Sequence, residues 1–199
     1  MNSSELSKAW IEHIGFFVKG DSGLSEYPNA KTTAKISVLT IIGDSGKVCA
    51  SVGLNGSHQP PIELLMDSLQ SDIDLEPIMA EVASDVQERS VGVKPGVVIE
   101  GGVKKHHPEL ELAHLLIIPQ FQWSYEMSET ELPQGVIYPL LAVPMSDMEL
   151  IYCHRIGYGS LDHLWERREI NLLDWKRPSA VSQIDIDRAL IRNGYITDS

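Results

Sequence analysis

Five residues between positions 106 and 114 are the first candidates for chemistry: His106, His107, Glu109, Glu111 and His114. Imidazoles and carboxylates are zinc ligands, and a divalent metal held by them would support ester hydrolysis. On a strand, His107, Glu109 and Glu111 share one face, while His114 points the other way. The spacing follows no zinc signature such as H-E-x-x-H, and a metal site needs converging ligands with a supporting shell. The preferred reading is a solvated loop entering a strand, with His114 among core or edge residues. Gly43-Asp44-Ser45-Gly46 resembles the tetrad around a serine-protease nucleophile. It lacks the further glycine, Lys47 follows it, and it lies between two alternating runs, where a hairpin turn wants these residues. Gly46-Lys47 makes no phosphate loop, because neither G-x-x-x-x-G-K-[ST] nor a helix is present. No catalytic residue, metal or cofactor is therefore expected. A metal-dependent hydrolase built on residues 106–114 is the rival.

Other polar and aromatic groups suggest structure or binding. His154-Arg155 lies near a helix end closed by Gly157, where positive charge favours the carbonyl dipole. Arg167 and Arg168 are expected to pair with Glu166, Glu169 or solvent. Trp123, Tyr125 and Trp175 fall in loops, where an aromatic serves either as a partner anchor or as half-buried packing. Cys49 and Cys153 form no C-x-x-C pair; free buried thiols are expected, with a disulfide left open.

The stretch that organises the chain is residues 136–181. Val136–Val143 is apolar on nearly every residue and reads as a buried strand ended by Pro144. Ser146 stands three residues before Glu149, the spacing of a capping box. A helix follows to Gly157, then a second amphipathic run with Leu161, Leu164 and Trp165 on one face. Earlier, Leu6, Trp10, Ile14 and Phe17 predict a helix over 4–18, and residues 20–29 read as a loop. Residues 36–42 and 48–54 alternate and predict a hairpin. A short strand is expected at 62–66. Asp74 caps a helix with Leu75, Ile78, Met79, Val82 and Val86 on its buried stripe. Strands follow at 97–99 and 112–118. Phe121–Tyr125 reads as a short strand or a loop, and 126–131 as an acidic connector. Ser182 caps a last helix holding Ile186, Ala189 and Leu190, stopped by Gly194.

The chain has 199 residues, 43% of them hydrophobic and 22% charged. That fits one soluble domain able to bury roughly 70% of its unfolded surface without a metal or disulfide. Interspersed strands and helices predict an α+β domain, a mixed and mainly antiparallel sheet flanked by helices. The formal net charge of −12 argues against nucleic acid and anionic lipid as partners. It permits a basic protein partner. The first fifteen residues carry no secretory signal, so a cytoplasmic protein is expected. Charge and composition do not fix the oligomeric state.

Several motifs, in order, resemble the suppressor-of-fused family. They are Ala50-Ser51-Val52-Gly53-Leu54-Asn55; the Glu63-Leu64 pair within Ile62–Met66; the strand ending in Val143-Pro144; the helix opening on Ser146-Asp147-Met148-Glu149-Leu150; and Asp174-Trp175-Lys176-Arg177-Pro178-Ser179. The resemblance runs from about residue 6 to 181 and leaves 182–199 as a C-terminal helical extension. It implies a helix-flanked mixed sheet and a protein-binding domain. Asp174 and Arg177 match the family's terminal motif, where an Asp–Arg pair would tie the tail onto the sheet or contact a ligand. Trp123, Tyr125, Asp174, Trp175 and Arg177 are the expected partner-binding residues. Single-domain bacterial members of the family are regarded as immunity proteins, which implies binding and neutralising a basic toxin domain. A regulatory scaffold is a further alternative.

Overall fold

The computed structural model describes residues 3–29, 35–44, 46–54, 61–89, 93–121, 130–132 and 135–192. The elements are α1 (Ser3–Phe17), β1 (Asp21–Pro28), β2 (Lys35–Gly43), β3 (Gly46–Val52), β4 (Ile62–Ser68), α2 (Leu75–Arg89), β5 (Val98–Ile99), β6 (His114–Pro119), β7 (Thr130–Leu132), β8 (Gly135–Met145), α3 (Asp147–Ile156), α4 (Tyr158–Arg167) and α5 (Gln183–Arg192). The sheet order is β1-β2-β3-β4-β8-β6-β5, with β7 pairing β8 beside that path. Every pairing is antiparallel except β4 with β8. The expected α+β class, a mixed and mainly antiparallel sheet flanked by helices, is what the chain forms.

The two-residue period of the central strands divides the core. Val38, Leu64, Met66, Leu115, Ile117 and Ala142 pack with the α2 stripe of Leu75, Ile78, Met79, Val82 and Val86. Their neighbours Leu39, Ile41, Leu65, Leu116, Ile118, Leu141 and Val143 pack with α1, α3, α4 and α5 on the opposite face. A sheet covered on both faces needs apolar residues at successive positions, which is why Leu64-Leu65-Met66 of β4, Leu115–Ile118 of β6 and Leu140–Val143 of β8 read as continuous apolar runs. The hairpin turn between β2 and β3 brings Gly43 opposite Gly46. Gly46 has φ 140°, and a Cβ there would meet the Ser68 carbonyl oxygen at 2.1 Å, so glycine is required. Ser45 lies outside the described residues.

Three expectations are corrected. Residues 21–28 form a strand, not a loop: β1 pairs β2 along its whole length. Its residues are mostly exposed, so burial imposes no apolar alternation on them. Pro144 does not end β8, which runs to Met145. β4 pairs β8 only as far as Leu141, so one flank of Pro144 has no strand among the described residues and its missing N–H is tolerated. The acidic connector also contributes β7, paired with the start of β8.

Candidate functional site

The polar centre of the molecule grows from the capping box at the start of α3. Ser146 Oγ accepts from the Glu149 N–H at 3.2 Å, and Glu149 Oε2 accepts from the Ser146 N–H at 2.7 Å. A capping carboxylate is usually wet, but Glu149 is fully buried. Its Oε1 accepts from Trp165 Nε1–H on α4 at 2.9 Å, from the Ala180 N–H at 3.1 Å and from Arg177 Nη1 at 2.7 Å. Arg177 Nη2 donates to Oε2 at 3.3 Å and to the Pro144 carbonyl at 3.0 Å. The guanidinium also lies 5.7 Å from the centre of the Trp165 ring. One carboxylate thus joins the end of β8, the start of α3, the last turn of α4 and the irregular tail.

The expected Asp174–Arg177 ion pair does not form. Asp174 accepts from Gln70 Nε2 at 2.6 Å and from the Lys176 N–H at 3.0 Å. Arg177 is 6% exposed, and a buried cation is held by the carboxylate that is equally dry. Trp175 is fully buried; its indole N–H donates to the Asp67 carbonyl at 2.8 Å. Trp175 and Arg177 therefore offer a partner almost no surface in this conformation, and Asp174 is half-buried. Trp123 and Tyr125 lie outside the described residues.

The residues between 106 and 114 are dispersed. His106 Nε2 lies 2.9 Å from Glu81, and His107 Nδ1 lies 3.0 Å from Glu109. Glu111 accepts from the Ser179 N–H at 3.0 Å. His114 Nδ1 accepts from the Gly101 N–H at 2.9 Å, which places the ring proton on Nε2, 2.6 Å from Asp147. Among the described residues, no group of three or more His, Cys, Asp or Glu is placed to hold a metal. Cys49 and Cys153 are free and buried, and burial pushes the Cys49 thiol up to about 12. Arg168 pairs with Asp185 on α5 at 2.6 Å rather than with Glu166 or Glu169.

Two surface features suit a polypeptide partner. The first is β1, an eight-residue edge strand with Leu24 exposed, tied to α2 by a 2.8 Å hydrogen bond from Tyr27 to Glu76. An open edge offers backbone donors and acceptors to an added strand. The second is a cleft of about 510 Å³ between the end of β6 and α4, lined by Ile118, Phe121, Tyr158, Trp165, Leu172 and Leu173. Phe121 is 58% exposed at its lip. Neither feature is announced by a motif. Phe121 opens a run of aromatics, which is the one signal for the cleft; the edge strand gives no apolar pattern at all.

The site geometry is thus a helix-flanked mixed sheet whose tail is locked by a buried Glu–Arg pair, with β1 at the sheet edge and a cleft beside α4. Residues 22–178 match the family model described as Suppressor of fused protein (SUFU), and the chain belongs to that family. Over 104 residues it is 25% identical to Immunity protein YqcF of Bacillus subtilis (strain 168), covering 52% of this chain and 54% of that protein. The match thus spans about half the length of the relative. The crystal structure of a suppressor-of-fused homologue from Neisseria gonorrhoeae FA 1090 superposes with a TM-score of 0.73 at 16% identity, covering 90% of this chain and 99% of that one. Drosophila Suppressor of Fused superposes with a TM-score of 0.58 at 13% identity, covering 93% of this chain and 54% of that one. At these identities the two structures speak for the fold alone.

Proposed function

We propose that this chain is a non-enzymatic protein-binding domain of the immunity type, which captures and neutralises a cationic toxin domain in the cytoplasm. The observation that carries this reading is the relationship to Immunity protein YqcF within the family. The formal charge of −12 supports it, since a negative field speeds capture of a basic partner and disfavours wrong ones. The β1 edge and the Phe121 cleft are the contact surfaces. The edge supplies main-chain hydrogen bonds and the cleft receives an apolar anchor. Trp123, Tyr125 and Asp174 are further candidate contacts, carried over from the sequence. Trp175 and Arg177 act in binding only if the tail unlocks.

The test is a pull-down with the tagged full chain from its native cells at low salt, repeated at high salt, with mass spectrometry. One dominant basic partner, weakened by salt, is expected. A large assembly indifferent to salt would replace the reading with a scaffold role, and the absence of any stoichiometric partner would overturn it.

A further inference from the structure

A chain with formal charge −12 gathers four arginines around one cleft. The cleft, about 540 Å³, lies between α3, α4 and α5. Arg167 of α4, Arg168 at its C-cap, and Arg188 and Arg192 of α5 surround a floor of Tyr152, Leu164 and Ala189. Among the described residues of the lining Asp185 is the sole carboxylate, and it is already committed. It pairs with Arg168 through both oxygens, at 2.6 and 3.2 Å, and accepts from the Ser182 hydroxyl at 2.7 Å. Burial would raise its carboxyl, but these hydrogen bonds outweigh burial and hold it at about 2, so it stays anionic and neutralises Arg168. Among the described residues, Arg167, Arg188 and Arg192 form no ion pair.

Helix dipoles account for part of this. Arg167 and Arg192 stand in the last turns of α4 and α5, where carbonyl ends favour cations. Arg188 stands in the body of α5, four residues before Arg192, where two like charges repel. A second depression continues the first and shares Arg168, Asp185 and Arg188 with it. It is bounded by residues 179–182 and by Ile184, which is 60% exposed. The two together form a groove across the face of α5, with Arg167, Arg188 and Arg192 as its unneutralised cations and Ala180, Val181 and Ile184 as apolar lining toward the far end.

We propose that this groove docks an acidic polypeptide segment of a partner protein, one that carries carboxylates beside apolar side chains. Guanidinium forks match carboxylates in a bidentate geometry, and exposed Ile184 and the Leu164 floor take the apolar residues. The groove continues past the first cleft, which favours an extended segment over a compact anion. The acidic remainder of the chain repels a long polyanion such as nucleic acid, whose charge extends beyond the groove. This surface differs in sign from the one required by the immunity reading and does not depend on it.

The test uses the full chain and a fluorescein-labelled synthetic peptide of Glu-Glu-Leu repeats, with a Lys-Lys-Leu peptide as control. Anisotropy titrations at low salt give affinity, and amide chemical-shift mapping gives location. Saturable binding of the acidic peptide, with shifts confined to α4, α5, residues 179–182 and the α3 residues Tyr152 and Ile156 that line the groove, is expected. Arg188→Glu with Arg192→Glu lowers affinity at least about tenfold, since two exposed pairs are lost and repulsion replaces them. Because both residues are exposed, circular dichroism of the double variant stays unchanged. Arg188→Lys with Arg192→Lys keeps the charge but loses the fork, and retains part of the binding. No saturable binding, equal binding of both peptides, or shifts elsewhere would overturn the proposal. So would tight binding of inorganic tripolyphosphate without binding of the acidic peptide, which would mark a small-anion site. The native pull-down reports on the immunity reading separately.

Discussion

Replacing Glu149 by Gln should cost far more than its one-atom change suggests. In the native chain Oε1 receives three donors, from Trp165, Arg177 and Ala180, and Oε2 receives two, from Ser146 and Arg177. A glutamine that keeps its oxygen at the first position turns an N–H₂ group toward the two remaining donors. The opposite flip leaves three donors unmet. Each buried unmet donor costs about 1–3 kcal/mol. The guanidinium, 6% exposed, also loses its counter-charge, and breaking a buried pair costs about 3–5 kcal/mol. These losses overlap, so the expected destabilisation is about 4 kcal/mol, a large part of the ~5–15 kcal/mol that holds a typical domain together. For a chain of this size that lowers the melting temperature by about 10 °C. Urea unfolding followed by tryptophan fluorescence measures it directly, because Trp165 sits on the pair. Arg177→Met alone strands the carboxylate and should cost a similar amount. The double variant Glu149→Gln with Arg177→Met should cost clearly less than the sum, since no full charge is left buried. A Glu149→Gln cost below about 1 kcal/mol, or strict additivity in the double variant, would refute the reasoning that the pair is coupled and dry.

Burial raises the Asp67 carboxyl to about 6, outweighing the hydrogen bond from the Ser68 backbone. Between its ordinary value near 4 and that value the folded chain holds the extra proton, so stability falls as pH rises through this window. Asp67→Asn should therefore stabilise the chain at pH 7 by about 1–3 kcal/mol and give no gain near pH 4, as read by urea midpoints at both pH values. Cys49 and Cys153 should resist a thiol reagent in the folded chain and react together on unfolding; rapid labelling of Cys49 at neutral pH would contradict its burial and raised pKa. Phe121→Ala should weaken capture of the native partner by about tenfold or more while leaving the melting temperature unchanged, because the ring is largely in solvent.

The sequence made some of this structure legible and hid the rest for physical reasons. The capping box was readable because its two members lie three residues apart and bond each other through local backbone. The stripes of α1, α2 and α4 were readable because each packs one face on the sheet. The strand pair β2–β3 was readable from alternation and a glycine turn. β1 was not, because an exposed edge strand has no inner and outer side to imprint on its residues. The partner of Arg177 was misread because Glu149 lies twenty-eight positions away and its role as a cap concealed its role as a counter-ion. The buried state of Trp175 depends on an acceptor at Asp67, which no local pattern could supply. The groove on α5 was unreadable for the same reason: its arginines come from two helices and meet only in three dimensions.

The way the tail is attached divides the chain into parts of unequal firmness. Up to Ala180 it is secured by buried contacts to Glu149, whose loss would open the core. Beyond that, α5 is held by Ile186 and Leu190 on its inner face and by the Arg168–Asp185 pair, whose arginine is well exposed. A partly exposed pair contributes about 0–1 kcal/mol, and two apolar side chains a few more, so α5 can detach without unfolding the sheet. Native-state hydrogen exchange should accordingly show the amides of α5 opening at lower free energy than those of α3 and α4. Arg168→Ala should widen that gap while leaving exchange in α3 unchanged. If α5 and α3 instead exchange with one common opening energy, the terminal helix is part of the cooperative core. Its exposed arginines would then sit on a rigid platform.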